Sequence, residues 1–211
     1  MKKFLALILS GIMMLSVAAC SSGQTAENEN TAGELQDFDI VLDWYPNAVH
    51  SFIYVAMEKG YYEEEGLKVN VQFPSNTNDA ISLTAAGQAD AGLYYQTNTV
   101  STAANQNIPI KVIGTVVQHP LNIVMSMGES GINGAKDLKG KTVGYPGTPD
   151  NEVFIKAMME HNGLKYEDVT MQDVGFDLNT ALITGNVDAI IGGYINHEYP
   201  TLLQEGYDVT Y

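Results

Sequence analysis

The side chains best suited to chemistry are aromatic rings, amides and carboxylates, clustered in short runs that follow apolar segments. Trp44, the single tryptophan, stands beside Pro46, with Asn47 and His50 just beyond it. Tyr94, Tyr95 and Gln96 form a second run. Tyr194, Asn196, His197 and Glu198 form a third, behind Gly192-Gly193, and Glu152 lies one turn into a predicted helix. Indole and phenol rings stack on flat ligands or complete a hydrophobic core. Amides and a carboxylate read N–H and C=O groups at a ligand's edge. Trp44, past a strand end, is expected to stack on such a ligand. Asn47 suits either a turn cap or a ligand contact, and His50 either a ligand hydrogen bond or a structural one. Side chains near a strand alternate, so one of Tyr94 and Tyr95 faces a cleft; Tyr94 is the expected one. Glu198 is either a first-turn helix acid or the acceptor for a ligand's amino or ring N–H. In the turn Gly144 to Asp150, a helix N-terminus suits an anion, but Asp150 is a natural cap whose charge would repel one. The four histidines show no His-x-x-His or His-Glu-x-x-His spacing. No metal, cofactor or catalytic nucleophile is expected.

These runs must be positioned by alternating strands and helices. Strands are predicted at 38–42, 67–73, 89–93, 110–117, 123–127, 142–145, 169–174, 187–191 and 207–211. Helices are predicted at 51–65, 78–86, 150–162, 177–183 and 197–204. Strands separated by helices imply parallel sheets. One internal echo organises the order: Gly87-Gln-Ala-Asp90-Ala91 recurs as Gly185-Asn-Val-Asp188-Ala189. Each copy follows a short helix, opens a strand and leads to tyrosine and then asparagine. The pattern is either a common helix-to-strand turn, with glycine ending the helix, or the mark of two similar lobes. Ligands sit off the carboxyl ends of strands in open α/β sheets, and two facing lobes would close over one by hinge bending.

The N-terminus predicts location. Lys2 and Lys3 precede a largely apolar run from Phe4 to Val17, then Ala18-Ala19-Cys20. This reads as a secretory signal over residues 1–19 ending at the only cysteine, with Cys20 acylated as a lipid anchor. Residues 20–36 then form the lipidated cysteine and a polar tether. The chain carries 10 basic and 25 acidic residues, net −15. Removing the signal takes two lysines, leaving 8 against 25, or −17. Every basic residue is lysine. That balance excludes a nucleic-acid footprint, and the absence of arginine removes the bidentate clamp for anions. Neutral, cationic or aromatic ligands fit better.

Leu42-Asp43-Trp44-Tyr45-Pro46-Asn47, His50, Lys59-Gly60-Tyr61-Tyr62, Glu65-Gly66-Leu67, Ala89-Asp90-Ala91-Gly92-Leu93 and Asp137-Leu138-Lys139-Gly140-Lys141 carry a resemblance. Together they resemble ABC-importer solute-binding proteins of the thiamine-pyrimidine precursor (NMT1/THI5-like) family. The resemblance implies an α/β, two-lobe type II periplasmic-binding-protein fold with mainly parallel sheets. Lobe 1 would occupy residues 37–120; lobe 2 and the start of the return crossover would occupy 121–211, so the chain would be truncated before the return to lobe 1. It also implies a monomeric receptor held outside the cell membrane by its lipid, passing a formylaminopyrimidine or hydroxymethylpyrimidine to an ABC permease and its ATPase. Riboflavin, another vitamin or a sulfonate is the alternative ligand. The family includes a pyridoxal-phosphate-dependent pyrimidine synthase whose lysine and histidine would fall at Tyr94 and Asn98. Neither residue can do that chemistry, so no enzyme is expected.

Overall fold

The computed structural model describes residues 34–211. The predicted signal, Cys20 and nearly all of the tether lie outside the described residues. Among the described residues, eight strands form two sheets. The first has the order β2 (Leu67–Gln72), β1 (Gln36–Val41), β3 (Ala91–Gly92), all parallel. The second runs β6 (Thr170–Asp173), β5 (Thr142–Tyr145), β7 (Ala189–Tyr194), β4 (Asn122–Met127), β8 (Val209–Thr210).

Helices cover both faces of each sheet, and the period-2 pleat sorts apolar residues between them. In β1, Ile40 packs with Ile53 of α1 (Ser51–Glu58), whereas Val41 faces Ala80 of α3 (Asp79–Ala85). In β7, Ile190 packs with Leu182 of α6 (Leu178–Ile183) and Leu202 of α7 (Glu198–Gln204). Its neighbours Ala189 and Ile191 pack with Ile155 and Met159 of α5 (Pro149–His161). None of the described helices is long and apolar enough to cross a membrane.

The echoed motif is one structural device built twice. Gly87 and Gly185 end their helices in the left-handed region, at φ 68° and 71°. Asp90 then accepts the backbone N–H of Asp39 at 2.8 Å, and Asp188 that of Thr142 at 2.8 Å. Each aspartate's own N–H returns to the carbonyl of the same residue at 2.9 Å. The device docks β3 beside β1 and β7 beside β5, and delivers the tyrosine runs to the carboxyl ends of those strands.

Three expectations are corrected. The helix expected over 51–65 is two helices, α1 and α2 (Tyr61–Glu64), because the chain turns at Gly60 with φ 73°. Residues 110–117 form no strand; Ile113 is 87% exposed, and no ladder partner lies beside this segment among the described residues. β-branched residues favour strands by packing against neighbours, and here there are none to pack against. A helix that was not expected, α4 (Gln96–Gln106), follows Tyr95. The sheets are mainly parallel, as expected, and within the second one β4 runs antiparallel to both β7 and β8. β4 enters from the other sheet, so the rule for helix-linked parallel neighbours does not govern it.

Candidate functional site

The carboxyl ends of β1 and β3 meet those of β6 and β7, and the predicted site residues divide there into three groups. Trp44 is 7% exposed and packs into the core beneath the five-stranded sheet, with Leu178 and Leu202 among its neighbours. Its ring nonetheless lines a cleft of ≈ 130 Å³ together with Tyr45, Phe176, Asn179, His197 and Glu198. The aromatic wall is edge-on: Trp44 and Phe176 have centroids 4.7 Å apart at 73°, and Tyr45 lies 5.3 Å from Phe176. Phe176, rather than a tyrosine, is therefore the ring that meets Trp44 from the other sheet.

Glu198 forms the polar end of this cleft. As the first residue of α7 it turns back, and its Oε2 accepts the Tyr194 backbone N–H at 2.6 Å. Its approach needs the glycine before it: a Cβ on Gly193 would stand 3.3 Å from Glu198 Cβ and 2.7 Å from Met125 Cε. Glu198 is 5% exposed, and burial raises its pKa against the Tyr194 N–H, His197 and the Trp44 indole, which favour the charged form.

Tyr95 and Tyr194 form the second group. Their hydroxyls interact across the two sheets, and burial raises both pKa values first, followed by Tyr194 and then Asp43 for Tyr95, and by Asp43 for Tyr194. Tyr94, expected to face the cleft, instead donates to Asn78 Oδ1 at 2.5 Å and packs with Val41 and Ala80 of the first sheet's core. Burial, helped by Asp150, pushes its hydroxyl up to about 12. Beside the tyrosine pair, Asn98 of α4 donates to Asp150 Oδ1 at 3.0 Å, a buried bond joining the two halves. Asp150 is not the helix cap: Thr148 is, with Pro149 as the first helical residue.

The third group is structural. His50 is fully buried; its Nδ1 accepts the Asn47 N–H at 3.1 Å, so Nε2–H donates to Asp43 at 2.8 Å. Asn47 caps the turn Ala48–His50, accepting from the Val49 N–H and donating to the Tyr45 carbonyl. Together they anchor the segment that carries Trp44. Glu152 accepts from the Tyr145 hydroxyl at 2.6 Å and stands by Tyr166, apart from the Trp44 cleft. Gln96 and Asn196 are exposed.

A largely part-buried chain of amides holds the segment before Tyr194. The Gly192 N–H donates to Asn122 Oδ1 (2.9 Å), Asn122 to Asn151 Oδ1 (2.8 Å), and Asn151 to Thr148 Oγ1 (2.6 Å). Gly192 is the extra residue of a bulge opposite Ile123/Val124, at φ 101°, where a Cβ would meet Pro146 Cδ at 2.6 Å. The bulge lies two residues before Tyr194, whose N–H is held by Glu198 at the cleft. Reading the sequence overlooked Asp43, Asn98, Phe176 and Asn179 as site residues. Gly175-Phe176-Asp177 and Asp43-Trp44 each begin two residues past a strand end, which was the available signal.

Comparison with known proteins gives the family and the fold. The family model described as NMT1/THI5 like matches residues 47–211. The formylaminopyrimidine-binding protein of Halalkalibacterium halodurans is 44% identical over 209 residues, covering 99% of this chain and 61% of that protein. A 4-amino-5-hydroxymethyl-2-methylpyrimidine phosphate synthase of Uromyces fabae is 33% identical over 72% of this chain and 45% of its own length. The chain thus spans about three-fifths or less of these relatives. Among solved structures, the periplasmic aliphatic sulphonate binding protein SsuA of Escherichia coli superposes with a TM-score of 0.61 at 19% identity, over 83% of this chain and 59% of that one. The fold is that of type II periplasmic-binding proteins.

Proposed function

Because this chain belongs to the NMT1/THI5-like family, we propose that it is an extracytoplasmic solute receptor that hands a single-ring aminopyrimidine to an ABC importer. The ligand class is that of a formylaminopyrimidine or hydroxymethylpyrimidine, the first being what the name of the Halalkalibacterium relative states. The permease and its ATPase are the partners, the receptor acts as a monomer, and acylated Cys20 holds it at the membrane.

The observation that carries this reading is the cleft between Trp44 and Glu198. Its ≈ 130 Å³ compares with the cavity of about 150 Å³ that takes up one benzene ring. One flat heterocycle matches that scale. Trp44, Tyr45 and Phe176 offer aromatic surface, and Glu198 accepts from an amino or ring N–H. No lysine lines the cleft and the chain has no arginine, which disfavours a sulfonate. Asp43, Asp150 and Glu198 around the tyrosine pair add negative potential that suits an N–H-rich ligand.

The protein is a receptor and not a synthase. Tyr94 and Asn98 stand where the resemblance places a synthase's lysine and histidine, and both are engaged in hydrogen bonds, to Asn78 and Asp150. Closure over the ligand shifts a population of states and leaves the ligand unchanged.

Calorimetric titration with formylaminopyrimidine, hydroxymethylpyrimidine, riboflavin and an alkanesulfonate tests the proposal. Saturable one-to-one binding of a pyrimidine, recovered intact by mass spectrometry, is expected. Binding of riboflavin or sulfonate alone, or conversion of the pyrimidine, overturns it.

A further inference from the structure

His197 and Glu198 stand side by side on the wall of the cleft that Trp44 also lines. Glu198 is buried and its carboxylate is fixed: Oε2 accepts the Tyr194 N–H at 2.6 Å, and the Trp44 indole lends it a further hydrogen bond. A carboxylate accepts about four hydrogen bonds, so capacity remains. His197 is fixed through its backbone. Its N–H donates to the Tyr194 carbonyl at 3.1 Å, and its own carbonyl accepts from the Thr201 hydroxyl at 2.7 Å. The imidazole makes no capping bond to the start of α7. Its polar contact among the described residues is Glu198 Oε1, 3.5 Å from Nε2 and longer than an ordinary hydrogen bond. Facing a carboxylate oxygen, Nε2 is the nitrogen that keeps its hydrogen in the neutral ring. The wall therefore presents a donor next to an acceptor. The other polar groups there form no such pair. Asp177, Thr180 and Tyr45 are exposed, where water satisfies them, and the Asn179 side-chain oxygen has essentially no accessible surface.

We infer that His197 is a specificity-determining residue that, paired with Glu198, reads an amidine edge: a ring nitrogen accepts from His197 Nε2–H while the neighbouring amino group donates to Glu198 Oε1. This rests on the receptor reading above and narrows it. One long contact gives way to two bonds of ordinary length. The edge requires an amino group on a carbon next to a ring nitrogen. The same ring with its amino group one carbon further on still donates to Glu198 but turns a C–H toward His197. That isomer leaves the imidazole donor unpaired inside a closed site, and a site built for a hydrogen bond rejects a ligand that cannot make it.

The test titrates the full chain with formylaminopyrimidine and with two isomers of equal size, 4-aminopyrimidine, which has the edge, and 5-aminopyrimidine, which lacks it. Calorimetry at about pH 8 keeps an ordinary imidazole neutral. Wild type is expected to bind the 4-amino isomer about tenfold more tightly, which corresponds to roughly 1.4 kcal/mol and matches one hydrogen bond. His197→Leu should erase most of that preference by weakening the 4-amino isomer, while the 5-amino isomer stays within about twofold, a difference below the worth of a hydrogen bond. His197→Gln, which keeps an N–H donor, should restore part of the preference. Without ligand, His197→Leu should melt within about 2 °C of wild type, since the ring makes no capping bond; a structural residue would shift the melt and weaken both isomers alike. His197→Ala carries the test if the leucine variant does not fold. Equal losses for both isomers, no loss, or a wild type that binds formylaminopyrimidine but prefers neither isomer overturns the inference and leaves the receptor reading standing. A wild type that binds none of the three removes the receptor reading and this inference with it.

Discussion

Asn122→Ala probes the amide chain before Tyr194. Asn122 opens β4 and joins two things far apart in sequence: the bulge at Gly192 and the turn before α5. It accepts the Gly192 N–H at 2.9 Å and donates to Asn151 Oδ1 at 2.8 Å, and Asn151 is 2% exposed. Truncation orphans one donor and one acceptor at once. Each buried orphan costs about 1–3 kcal/mol. Asn151 retains its bond to Thr148 and has one group left unpaired, so the expected total is about 2–4 kcal/mol. In a domain of this size that lowers the melting temperature by about 5–15 °C. Urea unfolding should show the midpoint falling with an unchanged slope, because the surface exposed on unfolding hardly changes. The bulge also carries Tyr194 and the Glu198 contact, so pyrimidine binding should weaken together with stability. A loss below about 0.5 kcal/mol, the range of a neutral surface substitution, would refute the network as what holds the segment before Tyr194.

Three further outcomes follow from the same geometry. Glu198 titrates above its ordinary range in the folded protein because it is buried. Stability should therefore fall as pH rises from about 4.3, the unfolded glutamate value, through the raised folded value. Glu198→Gln should flatten that segment and raise the neutral-pH melting temperature while weakening pyrimidine binding; an unchanged pH profile would contradict the burial argument. Asn98→Ala and Asp150→Ala should each destabilise, with a double-mutant coupling of about 1–3 kcal/mol, the worth of a buried hydrogen bond to a charge; additive losses would show that the bond across the halves carries nothing. Gly192→Ala puts a Cβ 2.6 Å from Pro146 at φ 101° and should cost about 1–3 kcal/mol, measurable by urea unfolding; a neutral result would mean that the bulge flattens without strain.

Much of the scaffold was legible because local rules and tertiary packing agree there. The apolar alternation of Leu67–Gln72 and the Gly-x-x-Asp-Ala echo each correspond to a defined backbone feature. The failures share a cause in context. Helix α4 is polar, with only Asn98 buried, so it carries no apolar stripe to betray it. Residues 110–117 have strand-like composition without a neighbouring strand. At the site, residue types were readable and their directions were not. Trp44 and Glu198 share one cleft, whereas Tyr94 and Tyr95 exchange roles because α4 starts at Gln96 and re-aims the residues before it. His50 and Asn47 satisfy each other locally, a pairing visible only once the turn Ala48–His50 is built. Asn179 had no distinguishing context in the chain; only its place in the cleft lining marks it.

Since Trp44 is the chain's only tryptophan, its fluorescence reports on the cleft alone. Titrating the protein with formylaminopyrimidine while following that emission tests most directly whether a ring binds against this indole. A saturable change with the same midpoint as the calorimetric binding curve is the expected result. Calorimetric binding with the indole emission unmoved would place the ligand elsewhere and contradict the account.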